Sequence, residues 1–240
     1  MPIPQPPGSR HPLSHVIAEI NTIFADLGFT YAEGPERERI DYNFDYLNVQ
    51  AEHPSRDMHD TFYLAGDPER LMRTHTSPVQ IRYMLDHEPP IRMICPGKVY
   101  RNEATDATHE AQFYQLEGLQ VGVDVSLAHM KGVLEYFFSR FFGGAVEVRF
   151  RPSFFPFVEP GVEVDMRISE QPGNKLSGKW IEVMGAGMVH PQVLRGVGID
   201  PTEYRGFAFG MGIDRLAVLR SGVDDVRLFY TGDLRVVNQF

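Results

Sequence analysis

Arg101 and Glu103 stand two residues apart at the end of the run 91–103, and Phe113, Gln115 and Glu117 alternate within the run 111–123. If both runs are strands, each set leaves a single face. A buried face carrying a guanidinium, two carboxylates, an amide and a ring is costly unless a ligand satisfies it. Spacing alone leaves two readings open, a ligand-binding face or a solvated face with a surface ion pair. Around Pro156, Phe155 and Phe157 fall on one side. Such rings close on a third ring edge-to-face, worth about 0.5–1.5 kcal/mol beyond burial, or simply pack in a core. Gly210 and Gly212 precede a short helix that opens with Arg215. A glycine pair there serves either close backbone approach to a ligand or tight strand–helix packing. Neither the G-x-G-x-x-G fingerprint nor a G-x-x-x-x-G-K-[ST] phosphate loop occurs. Glu159, Glu163, Asp165 and Glu182 approach the glycine segment. Carboxylates there suit Mg²⁺ shared with phosphate oxygens, or are merely solvated. The cluster His53, Asp57, His59 and Asp60 matches no zinc spacing, and reads as a loop held by hydrogen bonds.

Several elements must position these groups. Pro12 and the apolar series Leu13, Val16, Ile17, Ile20, Phe24 and Leu27 predict a helix that stops at Gly28. An extended segment follows and turns at Gly34-Pro35, and residues 41–66 read as long loops with short strands. The runs 91–103 and 111–123 predict an antiparallel pair joined by a polar loop. Ser126 caps a second helix with Leu127, Met130, Leu134, Phe137, Phe138 and Phe141 on its apolar side. Strands are expected over 145–152, 162–168 and 179–187, with an exposed loop over 169–178. Residues 206–222 read as a glycine-rich strand running into a helix. Strands interrupted by helices predict an α+β domain built on a mostly antiparallel sheet. Residues 1–10, rich in Pro and Gly, read as a disordered lead-in to a domain over 11–240.

The chain has 240 residues, with 23 Lys and Arg against 32 Asp and Glu, a formal charge of -9. It is long enough for one large or two small domains. Its one cysteine, Cys95, excludes an internal disulfide framework and a multi-thiolate zinc site. No signal peptide and no membrane span are legible, so a cytoplasmic protein is expected. The negative balance argues against a grip on nucleic acid that rests mainly on phosphate neutralisation.

The ordered set of strings resembles the α subunits of phenylalanyl-tRNA synthetase, a family of class II aminoacyl-tRNA synthetases. The segment LGFTYAEGPE is similar to motif 1. GKVYRNEATDATHEAQFYQLEGL is similar to motif 2 with its loop, and GFAFGMGIDRLAVLR to motif 3. YNFDYLN, HTSPVQ, FFPFVEP and GAGMVHP are hallmarks of the family itself. The likeness runs over residues 9–240. It implies the class II catalytic fold, an antiparallel sheet flanked by helices, with ATP and Mg²⁺ as cofactors. Arg101 then holds the ATP α-phosphate and the amino-acid carboxylate. Glu103 reads the adenine amino group, Phe113 stacks on adenine, His109 reaches the β- and γ-phosphates, and Arg215 covers the other face of adenine. His75, Ser77, Gln115 and Glu117 place the phenylalanine α-amino group, Phe155 and Phe157 clasp its ring, and Ala208 sets the pocket depth. Glu159 and Glu182 are the expected metal carboxylates. Tyr114 and Asp214 depart from the family's His and Glu, which bears on how neighbouring groups are held.

The resemblance implies activation of L-phenylalanine by ATP and transfer to the terminal ribose of tRNA(Phe), at the 2′-hydroxyl. The alternative is a phenylalanine- or adenylate-binding relative that charges nothing. An interaction module with a decorated sheet face is a third option. Tyrosine should leak through, because an apolar pocket rejects an added hydroxyl by only about 10²-fold. No second hydrolytic domain is legible, so editing is expected in the β subunit. Partners are that β subunit, or a second copy, through the motif 1 region. Family α subunits carry an N-terminal helical-hairpin arm that contacts tRNA, and this sequence starts just ahead of motif 1. The expectation is therefore a shortened or reconstructed core in which activation survives better than charging.

Overall fold

The computed structural model describes residues 10–57, 60–169 and 178–240. Most of the lead-in, His59 and most of the 169–178 loop lie outside the described residues. The strands are β1 (Thr30–Tyr31), β2 (Arg37–Arg39), β3 (Tyr63–Leu64), β4 (Asp67–Met72), β5 (Ile91–Tyr100), β6 (Gln112–Gly122), β7 (Val146–Phe155), β8 (Val158–Ile168), β9 (Ile181–Val189) and β10 (Arg205–Gly212). The helices are α1 (Pro12–Asp26), α2 (Ile40–Asn43), α3 (Ser77–Asp86), α4 (Leu127–Phe142), α5 (Pro191–Gly196), α6 (Ile213–Ser221) and α7 (Leu234–Val237).

A seven-stranded sheet in the order β1-β5-β6-β10-β9-β8-β7 forms the body, and β2-β4-β3 makes a small sheet beside it. Every pairing in the large sheet is antiparallel except β1 with β5. The expected pair is β5 and β6, in register from Ile91 opposite Val121 to Tyr100 opposite Gln112. Strand β5 ends at Tyr100, so Arg101 and Glu103 lie in the loop just past it rather than on the strand. Arg101 N–H still donates to Ala111 O at 2.9 Å, extending the ladder by one bond.

Alternation along each strand sorts the two faces. One face packs under α1, α4 and α6. Helix α1 opens with the His11 ring accepting from Leu13 N–H and with Pro12 in its first turn, and buries Leu13, Val16, Ile20, Ile23 and Phe24. Ser126 caps α4 by accepting from His129 N–H, as the sequence predicts. Phe24 stacks on Phe137 at 4.9 Å and on Phe209 of β10 at 5.6 Å. Truncating one such buried ring costs about 3–5 kcal/mol. Gly118 in β6 makes room for Phe209, whose ring would lie 2.2 Å from a Cβ there.

The opposite face is split. Over β5, β6 and β10 it is covered by α3, α5 and the turn around Leu47, which bury Val79, Ile81, Met84, Val193 and Leu194. Periodicity predicts no element over 67–90, where β4 and α3 lie. Helix α3 begins at Ser77 with Pro78 in its first turn, a position where the missing N–H costs nothing. Over β7, β8 and β9 the face is open and carries a lattice of paired charges. Asp165 accepts from Arg149 and Arg151, each at 2.8 Å, and Arg151 also meets Glu163 and Glu182 at 2.8 and 2.7 Å. Trp180 lies under both Arg149 and Arg167, at 4.3 and 4.8 Å.

Candidate active site

Two cavities meet on the covered half of the face. The inner one, about 310 Å³, lies between the N-terminal turn of α3, the inward side chains of β6 and β10, and the β7–β8 turn. The outer one, about 340 Å³, lies between the 101–111 loop, α6 and residues 224–226. Arg101 lines both.

Glu117 is the polar centre of the inner cavity. It is 4% exposed. Thr76 N–H donates to its Oε1 at 3.1 Å, Gln80 Nε2 donates to its Oε2 at 3.0 Å, and the Ser77 hydroxyl donates to Oε2 as well. These bonds explain why α3 starts where it does, since its first turn offers free donors to a carboxylate. Burial outweighs them and pushes the Glu117 carboxyl up to about 7. The His75 imidazole goes the other way, down to about 3, through burial first and then the Arg101 and Arg73 cations, so it is neutral at physiological pH. His75 Nδ1 and Gln115 Oε1 are buried with no hydrogen-bond partner among the described residues. Both residues line this cavity, and unsatisfied buried polar atoms in its wall leave room for a polar partner.

At the apolar end Phe155 and Phe157 lie 6.0 Å apart at 22°. Carbon contacts need about 3.5–4.0 Å on each side, so no third ring slides between them, and a ligand ring meets them at their edges. Gly185 makes this arrangement possible, because a Cβ there would stand 2.8 Å from the Phe155 ring. Ala208 and Val158 complete the lining. Gly210 lines the cavity too, with space for a Cβ only 3.1 Å from Glu117 Cγ.

The outer cavity is built differently. Of its charged side chains, Glu103, His109, Arg215 and Asp224 are exposed. Arg101 donates from Nε to Thr74 O at 3.2 Å, sits 5.0 Å from the Phe113 ring centre, and comes no nearer than 3.9 Å to Glu103. Burial lowers its pKa. His109 Nδ1 lies 3.1 Å from Asp106 and 2.9 Å from the Thr108 hydroxyl. Arg215, in the first turn of α6, lines the cavity and is exposed. It makes no ion pair with the described residues. The two departures from the family pattern touch each other. Asp214, 6% exposed, accepts the Tyr114 backbone N–H at 2.7 Å.

The structure therefore gathers His75, Ser77, Gln115, Glu117, Phe155, Phe157 and Ala208 in one cavity, and Glu103, His109, Phe113 and Arg215 in the other. It does not bring Glu159 and Glu182 to either. Glu159 opens β8 and pairs with His190 at 3.2 Å, whereas Glu182 sits near the far end of the β8–β9 ladder, opposite Asp165, and pairs with Arg151. The carboxylates that do line the outer cavity are Glu103, Glu110, Asp214 and Asp224. No group of three or more metal-ligating side chains occurs among the described residues. Gln80 is the inner-cavity residue that spacing misses. Its signal was its place one helical turn after Ser77, legible once α3 is drawn. Asp224 and Val226 carry no signal beyond the glycine stop before them.

The family described as tRNA synthetases class II core domain (F) matches residues 2–240. The phenylalanine--tRNA ligase alpha subunit of Bacillus subtilis (strain 168) is 54% identical over 239 residues, covering 97% of this chain and 69% of that protein. The subunit of the same name from Chlorobaculum tepidum is 52% identical over 241 residues, covering 97% and 70%. Among solved structures, pyrrolysyl-tRNA synthetase from Desulfitobacterium hafniense superposes with a TM-score of 0.71 at 17% identity, over 93% of this chain and 74% of that one. That likeness is one of fold. No helix among the described residues is long and apolar enough to cross a membrane.

Proposed function

This chain belongs to the class II core family of tRNA synthetases, with phenylalanine--tRNA ligase alpha subunits as its relatives, and on that premise we propose that it joins L-phenylalanine to ATP and passes the acyl group to tRNA(Phe). The observation that carries the reading is Arg101, which lines both cavities at their junction. Phenylalanine fills the inner cavity, with its ammonium at Glu117, Gln115 and His75 and its ring against the edges of Phe155 and Phe157. ATP fills the outer cavity, with adenine between Phe113 and Arg215, its amino group at Glu103, and the outer phosphates toward His109. The two substrates then meet at Arg101.

The reaction needs little covalent help. A phenylalanine carboxylate oxygen attacks the α-phosphorus, pyrophosphate leaves, and phenylalanyl-adenylate remains. A ribose hydroxyl of tRNA attacks its carbonyl carbon, and AMP leaves. The protein holds the two reactants in line and stabilises the negative charge that builds on the α-phosphoryl oxygens, and Arg101 supplies the opposing positive charge. Mg²⁺ bound with ATP would supply charge neutralisation at the phosphates, beside one or two carboxylates, and Glu110 and Asp224 of the outer cavity would hold it. The activation step uses only side chains of these two cavities, whereas tRNA charging needs contacts to the tRNA as well. A β subunit, seated against α1 and the Gly34-Pro35 segment, supplies editing and tRNA contacts.

Phenylalanine-dependent exchange of pyrophosphate into ATP is the test. The folded chain with Mg²⁺ is expected to catalyse it. Absence of exchange by the chain alone, with exchange restored by a β subunit, would move activation to the assembled enzyme. Absence in both refutes the reading.

A further inference from the structure

One carboxylate joins three walls of the outer cavity. Asp214 is the second residue of α6, directly before Arg215. Its Oδ2 accepts the N–H of Tyr114, which lies between Phe113 and Gln115 on β6. Its Oδ1 accepts the hydroxyl of Tyr230. Tyr230 ends the short turn Val226–Phe229, and that turn is itself tied to the 101–111 loop by Val226 N–H donating to Ala107 O at 2.9 Å. Asp224 and Val226 of the same segment line the cavity opposite Phe113 and Arg215.

We infer that Tyr230 and Asp214 form a latch that positions the nucleotide cavity, with residues 224–230 as its third wall. Tyr230 does not line the cavity, and both oxygens of Asp214 are taken by Tyr114 and Tyr230. The Tyr230 hydroxyl holds the Asp214 carboxylate, and Asp214 fixes both the start of β6, which carries Phe113, and the first turn of α6, which carries Arg215. The Val226–Ala107 bond extends the same hold to the loop bearing His109. The phenol keeps its proton, because burial and the adjacent carboxylate both raise its pKa, so it stays a donor. The inner cavity is not anchored this way. Ser77 and Gln80 stand on α3 and Phe155 and Phe157 at the β7–β8 turn, and Glu117 is held by the first turn of α3, so of its groups only Gln115 adjoins the latch.

The inference rests on reading the outer cavity as the ATP site, and two kinds of measurement keep the two claims apart. Tyr230→Phe removes the hydroxyl and leaves the ring. On the full chain, ATP dissociation constants are expected to rise about tenfold, the scale of a lost hydrogen bond to a charged group. Phenylalanine dissociation constants should stay within about twofold, as for a change remote from the ligand. Hydrogen exchange of the Tyr114 and Val226 amides, measured without nucleotide, should quicken about tenfold by the same loss. In a double-mutant cycle, Tyr230→Phe should add nothing to the ATP effect of Asp214→Asn. Parallel loss of ATP and phenylalanine affinity overturns the latch, and so does unchanged exchange at Tyr114. If the unaltered chain binds phenylalanine and no ATP, the nucleotide reading fails, and the Tyr114 amide alone decides whether the latch exists.

Discussion

Arg101 and Arg151 lie on the same side of one sheet and have opposite fates. Arg151, on the open half, is shared among Asp165, Glu163 and Glu182 at 2.7–2.8 Å. Arg101, on the covered half, has one backbone acceptor and a carboxylate at 3.9 Å. The residue types are the same, and pairing separates them. A cation whose charge is already matched adds little to a ligand. One held in place by a carbonyl and a ring, with terminal N–H groups to spare, is ready for an anion. By the same contrast Glu163, Asp165 and Glu182 are matched carboxylates, since each carries an arginine already.

The sharpest way to break this comparison is to remove each arginine in turn. Arg101→Ala should lower phenylalanine-dependent exchange by about 10²–10³-fold, the scale of one electrostatic contact made in the transition state, with circular dichroism unchanged. Next comes Ala208→Val, which overfills the ring end of the inner cavity. Overpacking of about 1–3 kcal/mol corresponds to roughly 5- to 150-fold weaker phenylalanine binding, with ATP affinity unmoved. The Glu117 carboxyl gives a smaller, graded effect. It must ionise to hold an ammonium, and its pKa stands at about 7. Phenylalanine should bind about tenfold more weakly at pH 6 than at pH 8, and Glu117→Gln should flatten that profile. The sign for stability is the reverse. Between the ordinary value of 4.5 and about 7 the folded chain holds a proton that the unfolded chain has lost, so this carboxyl makes the empty protein less stable as pH rises through that window. The smallest effect belongs to Arg151→Ala, which should leave exchange within about twofold and shift only the melting temperature. An Arg151 effect as large as that of Arg101 would sink the distinction between paired and waiting cations.

Much of this was legible in the sequence, for a physical reason. Period-two alternation in 111–123 puts Phe113, Gln115 and Glu117 on one face whatever the tertiary context, and β6 does so. Helices α1 and α4 announce themselves through Pro12, Ser126 and their apolar stripes. Alternation does not say where a strand ends, which is why Arg101 and Glu103 were expected on β5 and stand just beyond it. Helix α3 is not legible, because its mean hydropathy is low and its first turn is buried throughout, which hides the apolar stripe. The expected metal carboxylates lie outside both cavities for a different reason. Sequence lists Glu159 and Glu182 as acids near the site, but strand register sets them at different ends of β8–β9 and hands each a cation. The role of Asp214 depends on Tyr230, sixteen residues on, a contact that no local pattern predicts.

Arg101 also has a thermodynamic consequence. A side chain that is a wall of two cavities makes their ligands partners in one equilibrium. Whichever substrate arrives first takes the entropy loss of ordering the guanidinium, and the second binds to a group already still. The factor by which ATP sharpens phenylalanine binding must then equal the factor by which phenylalanine sharpens ATP binding. Arg101→Ala should bring both factors toward one together, and calorimetry of each ligand with and without the other reads them directly.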